Sequence, residues 1–189
     1  MTRPAPDPDW PRWASEPVEL LAPDPGWQQR GTRAARSLDA ALDGLLVGPV
    51  EHVGSTAIPG LPAKPILDLL ATVAEPADLV VAEQAARLLA PDGWHYVPPE
   101  LDGRPYERFF VQVAEDRRVA HLHLMPAGSP HRQDVLRFRD VLRADPRLAA
   151  EYAALKAGLA QAHREDRERY TAAKQEFIAG VLGGRPQEG

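Results

Sequence analysis

The chain has 189 residues, a formal net charge of −5, 44% hydrophobic and 26% charged residues, and no cysteine. That size suits one domain with a substantial buried core, and the acidic balance disfavours nonspecific binding to nucleic acid, where lysine and arginine must neutralise phosphates. Without cysteine there are no disulfides, thiolate nucleophiles or zinc-finger ligands, so any metal must sit on carboxylates or histidines.

No apolar run approaches the roughly 20 residues of a membrane span, and the N-terminal segment lacks the apolar stretch of a secretory signal. A cytoplasmic protein without membrane partners is expected. Residues 1–17 form a lead rich in proline and tryptophan, followed by a main domain over 18–182 and a short tail over 183–189. Asp-Pro-x-Trp occurs at Asp7–Trp10 and again at Asp24–Trp27, with Trp13 in between, as suits aromatic anchors that fix extended segments to a core.

In chain order, Val18–Leu21 fits a short edge strand. A helix is expected from Trp27 to Leu46, with Ala34, Leu38, Ala41, Leu42 and Leu45 on one face, ended by Gly48-Pro49. Strands follow at Val50–Val53 and Ile66–Val73, joined by a Pro/Gly-rich loop from Gly54 to Lys64. A second helix over 77–90 is closed by Pro91-Asp92-Gly93.

Strands are expected again at Trp94–Val97, Arg108–Ala114 and Val119–Met125, the last two joined as a hairpin by a four-residue loop, Glu115–Arg118. His121 and His123 alternate with Leu122 and Leu124, so both imidazoles share one face. Ser129-Pro130 and Asp145-Pro146 each open a helix by placing a cap before proline. From Pro146 to Leu182 the pattern is almost wholly helical, and the charged stretch Arg164–Arg169 either turns between helices or lies on a solvated face.

Several features can carry chemistry. Gly54-Ser55-Thr56 after a strand can cradle a phosphate, because glycine permits close backbone approach and hydroxyls and N–H groups donate to phosphate oxygens; it also reads as an ordinary tight turn, lacking the Walker and dinucleotide spacings. Asp68 lies within Ile66-Leu67-Asp68-Leu69-Leu70, where an acid is costly to bury alone. It is either paired with a cation such as Lys64 or a ligand for Mg²⁺, an ion commonly held by one or two carboxylates and substrate phosphates. His121 and His123 are candidate metal or phosphate contacts, with a backbone-bonded core histidine as the alternative. His52 lies beside the turn and can orient it. Lys64 suits a triphosphate tail, and Arg108 and Arg139 suit a phosphate or an acceptor carboxylate, unless Arg139 pairs with Asp140.

The run Glu51-His52-Val53-Gly54-Ser55-Thr56-Ala57-Ile58-Pro59-Gly60-Leu61, followed by Ala63-Lys64-Pro65-Ile66-Leu67-Asp68, resembles the signature of the GrpB family of predicted nucleotidyltransferases. Asp24-Pro25-x-Trp27, Arg108-Phe109-Phe110, His121-Leu122-His123, Phe138-Arg139-Asp140 and Tyr170-x-x-x-Lys174-x-x-Phe177-Ile178 follow that family's order. The resemblance implies an α+β fold of nucleotidyltransferase type, a small mixed sheet flanked by helices with a helical C-terminal extension.

It also implies ATP or another nucleoside triphosphate at Gly54, Ser55, Thr56, Lys64, Arg108 and Arg139. The wider superfamily usually places a second acid two residues after the first, and here that position is Leu70. A two-metal site is therefore disfavoured, and one ion, Mg²⁺ or Mn²⁺, is expected on Asp68 and His123, with His121 and His52 as further candidates. The activity implied is nucleotidyl transfer to a small-molecule hydroxyl, amine or carboxylate, with an adenylating, amide-forming ligase as a sub-case; a non-catalytic nucleotide- or ligand-binding module is the alternative. No oligomeric state follows from the sequence.

Overall fold

A computed structural model describes Trp13 and residues 16–74, 79–164 and 166–183. Helix α1 (Gly26–Ala41) buries Trp27, Ala35 and Leu38 and stops earlier than its apolar pattern suggests. Past Leu42 the chain turns through Gly44 at φ 76°, and Leu46 bridges to Val73, so residues that could have extended the helix serve the sheet edge instead. The Asp39 carboxylate accepts the Val50 N–H at 2.8 Å and steers the chain into the first strand.

Strands β1 (Glu51–Val53) and β2 (Leu67–Val73) are antiparallel neighbours. The chain then passes through α2 (Leu79–Leu89), β3 (Trp94–Val97) and the one-turn α3 (Pro99–Asp102) into β4 (Arg108–Ala114) and β5 (Arg117–Pro126). Together the strands make one mixed sheet in the order β1-β2-β5-β4-β3, with β2 and β5 parallel. Helices α4 (Pro130–Ala144), α5 (Pro146–Ala162), α6 (Arg167–Ala172) and α7 (Gln175–Val181) complete the fold. Ser129 and Asp145 cap α4 and α5 as their Ser-Pro and Asp-Pro sequences predict, and the charged stretch turns between helices, with Asp166 capping α6. The edge strand expected at Val18–Leu21 reduces to a single bridge, Leu21 to Ala63.

The β4–β5 loop is tighter than expected. Only Glu115 and Asp116 form it, at φ 50° and 59°, and Arg117 already pairs with Ala114. Positive φ at both central residues gives a turn whose twist matches that of the flanking strands, so the strands run to its edge. Val113 faces Arg118 but Gln112 faces Ala120, which leaves Val119 as an extra residue on β5. Continuing the turn's register without that bulge would put His121 opposite Phe110, whose side chain is fully buried in the main core. The bulge turns His121 and His123 to the other face and lets Leu122 and Leu124 fill the core, each burial stabilising by about 1.5–3 kcal/mol.

The two faces of the sheet divide the work. Leu69, Ala71, Val73, Phe110, Leu122 and Leu124 pack with α1 and α2. On the other face Val53, Leu70 and Met125 pack against Val135 and Leu136 of α4, while Ile58 and Leu61 of the Pro/Gly loop pack against Leu142 and Tyr152. Asp68, His121 and His123 lie on that second face, where α4 does not cover them.

Gly54 holds φ 68° and ψ −168°, a backbone region essentially reserved for glycine. A Cβ there would lie 2.3 Å from Asp68 Oδ2. Gly54→Ala is expected to destabilise the fold by about 1–3 kcal/mol, measured by urea unfolding; an unchanged midpoint would show that the turn relaxes without cost.

Candidate active site

The turn after β1 is braced on all sides. Ser55–Ala57 form one 3₁₀ turn, and Gln28 of α1 and Arg143 of α4 donate to the Thr56 and Ala57 carbonyls, both at 2.9 Å. The Thr56 side chain is buried, 3.4 Å from the Ile66 carbonyl to which it donates and 3.0 Å from His52 Nε2. The His52 ring lies so close to Gly31 of α1 that a Cβ on Gly31 would overlap it. Burial pushes His52 down to about 4, so it is a neutral strut behind the turn. Ser55, at the front, lies beside the buried Tyr152 of α5, whose hydroxyl burial pushes well above its usual range.

Asp68 faces this turn from β2. His121 Nδ1 lies 2.9 Å and His123 Nε2 3.8 Å from its Oδ1. These three residues are the cluster among the described residues that could hold a metal ion, with one ligand atom from each within 4.8 Å of the others. Burial alone would raise the Asp68 carboxyl, but the hydrogen bond from His121 and the nearby His123 hold it well below the usual range.

Behind His123 stands an acid that sequence reasoning missed. Glu107, just before β4, is 1% exposed; its Oε2 lies 2.7 Å from His123 Nδ1 and its Oε1 accepts from Arg104 at 3.0 Å. Burial would lower His123, yet Glu107 and Asp68 push it up to about 9. His121 is pushed down to about 4 by burial despite Asp68. Phe109 packs on both rings, with centroids 5.1 and 5.2 Å away, and limits how either can turn.

A second group arrives from the C-terminal helices. Lys156 of α5 is 1% exposed, donates to the Pro62 carbonyl at 2.5 Å and lies 5.0 Å from the Tyr152 ring. Burial, with Lys174 adding to it, pushes Lys156 down to about 7, while Asp68 pulls the other way. Lys174 and Lys64 lie over the Tyr170 ring at 4.5 and 5.6 Å. Three lysines thus gather about the Tyr152 and Tyr170 rings, and Lys156 feels the Asp68 charge. The helical spacing of Tyr152, Lys156, Tyr170 and Lys174 reads equally well as packing, and only the two tyrosines with a lysine four residues on hinted at more.

The remaining candidates lie elsewhere. Arg139, 8% exposed, binds Glu51 and Asp140 at 2.7 Å each and the His52 carbonyl at 3.1 Å, tying α4 to β1. Arg108 donates to the Pro105 and Glu107 carbonyls and pairs with Leu124, which places its side chain on the face opposite Asp68. Leu70, at the position where a second acid was sought, is fully buried under α4, opposite His123. A cavity of about 510 Å³ opens beside Lys64, between Pro65-Ile66, the β4–β5 turn and the segment holding Glu16 and Glu19. Trp13 closes that region, with its carbonyl accepting from Arg118 Nε at 2.8 Å; Trp10 lies outside the described residues.

In chelator-treated protein the two imidazoles should titrate in opposite directions by NMR, His121 well below 6.5 and His123 well above it, and Glu107→Gln should lower His123. Because the folded His123 value, about 9, exceeds its unfolded 6.5, its contribution to stability is complete below pH 6.5 and is lost as pH rises through about 9. His121, held at about 4, has the opposite sign: its contribution is present above 6.5 and is lost as pH falls through about 4. Two titrations near 6.5 would refute the coupling to Asp68 and Glu107.

Known proteins match this arrangement along most of the chain. The family described as GrpB protein matches residues 17–183. A UPF0157 protein of Pseudomonas aeruginosa is 37% identical over 182 residues, covering 93% of this chain and 72% of that one. The crystal structure of the conserved protein GrpB from Enterococcus faecalis has a TM-score of 0.74 at 28% identity and covers 86% of this chain and 94% of that one. The poly(U) polymerase Cid1, solved with Mg and 3'-dATP bound, has a TM-score of 0.55 at 13% identity, covering 82% of this chain and 49% of its own, a likeness of fold alone. Matched by the family from residue 17 to residue 183 and by these structures in its fold, this chain belongs to the GrpB family and carries the nucleotidyltransferase fold.

Proposed function

We propose that this protein binds a nucleoside triphosphate with a divalent ion and transfers its nucleotidyl group to a small-molecule acceptor. The observation that carries the reading is the Asp68–His121–His123 cluster facing the Gly54-Ser55 turn, with the buried Lys156 feeling the Asp68 charge and Lys64 and Lys174 gathered over the Tyr170 ring: an acid centre with lysines nearby suits a metal-bound triphosphate. When bound, the ion would neutralise charge on the phosphate oxygens.

The chain's own residues account for the rest. The Gly54-Ser55 turn, stiffened by Gln28, Arg143 and His52, positions phosphate oxygens without reorganising. An acceptor oxygen or nitrogen bonds to the α-phosphorus, the bridging bond to the β-phosphate breaks, and the acceptor proton passes to water. The lysines neutralise the departing pyrophosphate, and Tyr152 and Tyr170 keep them in place from below. The cavity beside Lys64 has room for a small acceptor, and its lining mixes four acids, Glu16, Glu19, Glu115 and Asp116, with the cations Lys64, Arg117 and Arg118. A carboxylate acceptor would give an acyl-adenylate and open an amide-forming route. Among the described residues no helix is long and apolar enough to cross a membrane.

One observation favours a second reading, a non-catalytic nucleotide-binding module. A protonated His123 bridges Glu107 and Asp68, and with Arg104 also on Glu107 it balances the two acids without a metal. Mixing the protein with each nucleoside triphosphate, divalent ions and a panel of small acids, amines and alcohols separates the two. Pyrophosphate release that falls about 10²–10³-fold in Asp68→Ala and in Lys156→Met is expected. Triphosphate binding by calorimetry without turnover supports the module, and no binding of any triphosphate refutes both.

A further inference from the structure

Magnesium is a hard ion that takes oxygen ligands, keeps several waters, and in nucleotide sites is held by one or two carboxylates plus phosphates. The donor set at Asp68 is different: one carboxylate and two imidazole nitrogens, at 2.9 and 3.8 Å from the same oxygen. The place where a second carboxylate would stand two residues along β2 holds Leu70, fully buried against Val53, Met125 and α4, and its partner across the ladder is His123. The sheet thus fills the gap in the ligand set with nitrogen from the neighbouring strand. Imidazole suits the later divalent transition metals, and two histidines with one carboxylate, leaving open positions, are typical of such ions. The residues present do not fit Mg²⁺, and they do fit a borderline ion.

The surroundings strengthen this. His123 Nδ1 is held by Glu107 at 2.7 Å, which leaves Nε2 as the nitrogen that turns toward Asp68. A carboxylate behind an imidazole fixes its tautomer and orientation and raises its basicity as a ligand. Glu107 is itself held by Arg104 and almost wholly buried, an arrangement costly to keep unless it orients something. His121 is placed by its Nδ1 contact with Asp68, and its buried Nε2 has no hydrogen-bond partner, so the nitrogen facing the acid is the one the fold positions. Phe109 stands over both rings and restrains them in the geometry that brings their nitrogens together.

We propose that Asp68, His121 and His123 form a transition-metal centre, filled by a borderline divalent ion of the iron-to-zinc series rather than by Mg²⁺, with Glu107 as the positioning residue behind His123. The centre is assembled by the protein alone and takes its ion before any nucleotide arrives. It deepens the nucleotide-site reading, on which it rests only for the use to which the ion is put.

The test uses the full chain, stripped with chelator and free of nucleotide, titrated separately with Co²⁺, Zn²⁺, Mn²⁺ and Mg²⁺ by calorimetry, with the visible absorption of bound Co²⁺ as a spectroscopic readout. One Co²⁺ or Zn²⁺ per chain is expected to bind roughly 100-fold or more tightly than Mg²⁺. His121→Gln and His123→Gln should each abolish the Co²⁺ spectrum, Glu107→Gln should weaken Co²⁺ about 10–100-fold, and Arg108→Gln, on the opposite face, should leave it unchanged, with circular dichroism showing that each variant is folded.

The wild-type comparison of Co²⁺ with Mg²⁺ needs no variant to fold. Mg²⁺ affinity within about tenfold of that for Co²⁺, or a Co²⁺ spectrum that survives both histidine substitutions, overturns the proposal. Tight, histidine-dependent Co²⁺ binding by a protein that binds no triphosphate upholds the metal centre and sinks the nucleotide reading.

Discussion

The placement of one carboxylate, Asp68, governs the rest of the structure. It lies at the exposed end of an otherwise buried strand, where an ionised group would be expensive without partners. Two imidazoles from the adjacent parallel strand supply them, and the turn after β1 can approach only because Gly54 has no side chain and takes a backbone conformation that other residues avoid. The bulge at Val119 is part of the same solution, since it sends the histidines to the Asp68 face while the leucines between them fill the core.

Charge is layered around that acid. The pair nearest to it, His121 and His123, differ in character because Glu107 stands behind only one of them. Farther out, Lys64, Lys156 and Lys174 come from the loop before β2, from α5 and from the α6–α7 junction, and rest on the rings of Tyr152 and Tyr170. Burial makes the Lys156 charge costly and Lys174 adds repulsion, so its pKa is lowered, with Asp68 pulling the other way. A polyanion is the ligand that would relieve that repulsion. Arg139 is put to a different use, as the tie between α4 and β1 that holds the turn against the helices.

Local pattern was legible where one physical signal dominated. The apolar run Phe109–Val111 within Arg108–Ala114 placed β4, and cap-proline pairs placed the starts of α4 and α5. The end of α1 was not legible, because Leu42, Leu45 and Leu46 keep helical spacing while the sheet edge competes for them. The hairpin loop was read as four residues because two arginines follow two acids, and charge says little about which residues can adopt positive φ. Glu107 gave no signal as an isolated acid before a strand, and Lys156 looked like one position of an apolar helix stripe.

From the sequence alone, the family, the α+β class, the turn, the acid and the shared face of the two histidines were determined, because each depends on residues close in sequence or on a fixed strand period. Only the tertiary structure decided that Glu107 backs His123, that Arg108 faces away from Asp68, and that lysines from α5 and the α6–α7 junction reach the turn across 94 or more positions. The sheet register and the helix docking set those contacts, and neither is written in any single stretch of chain.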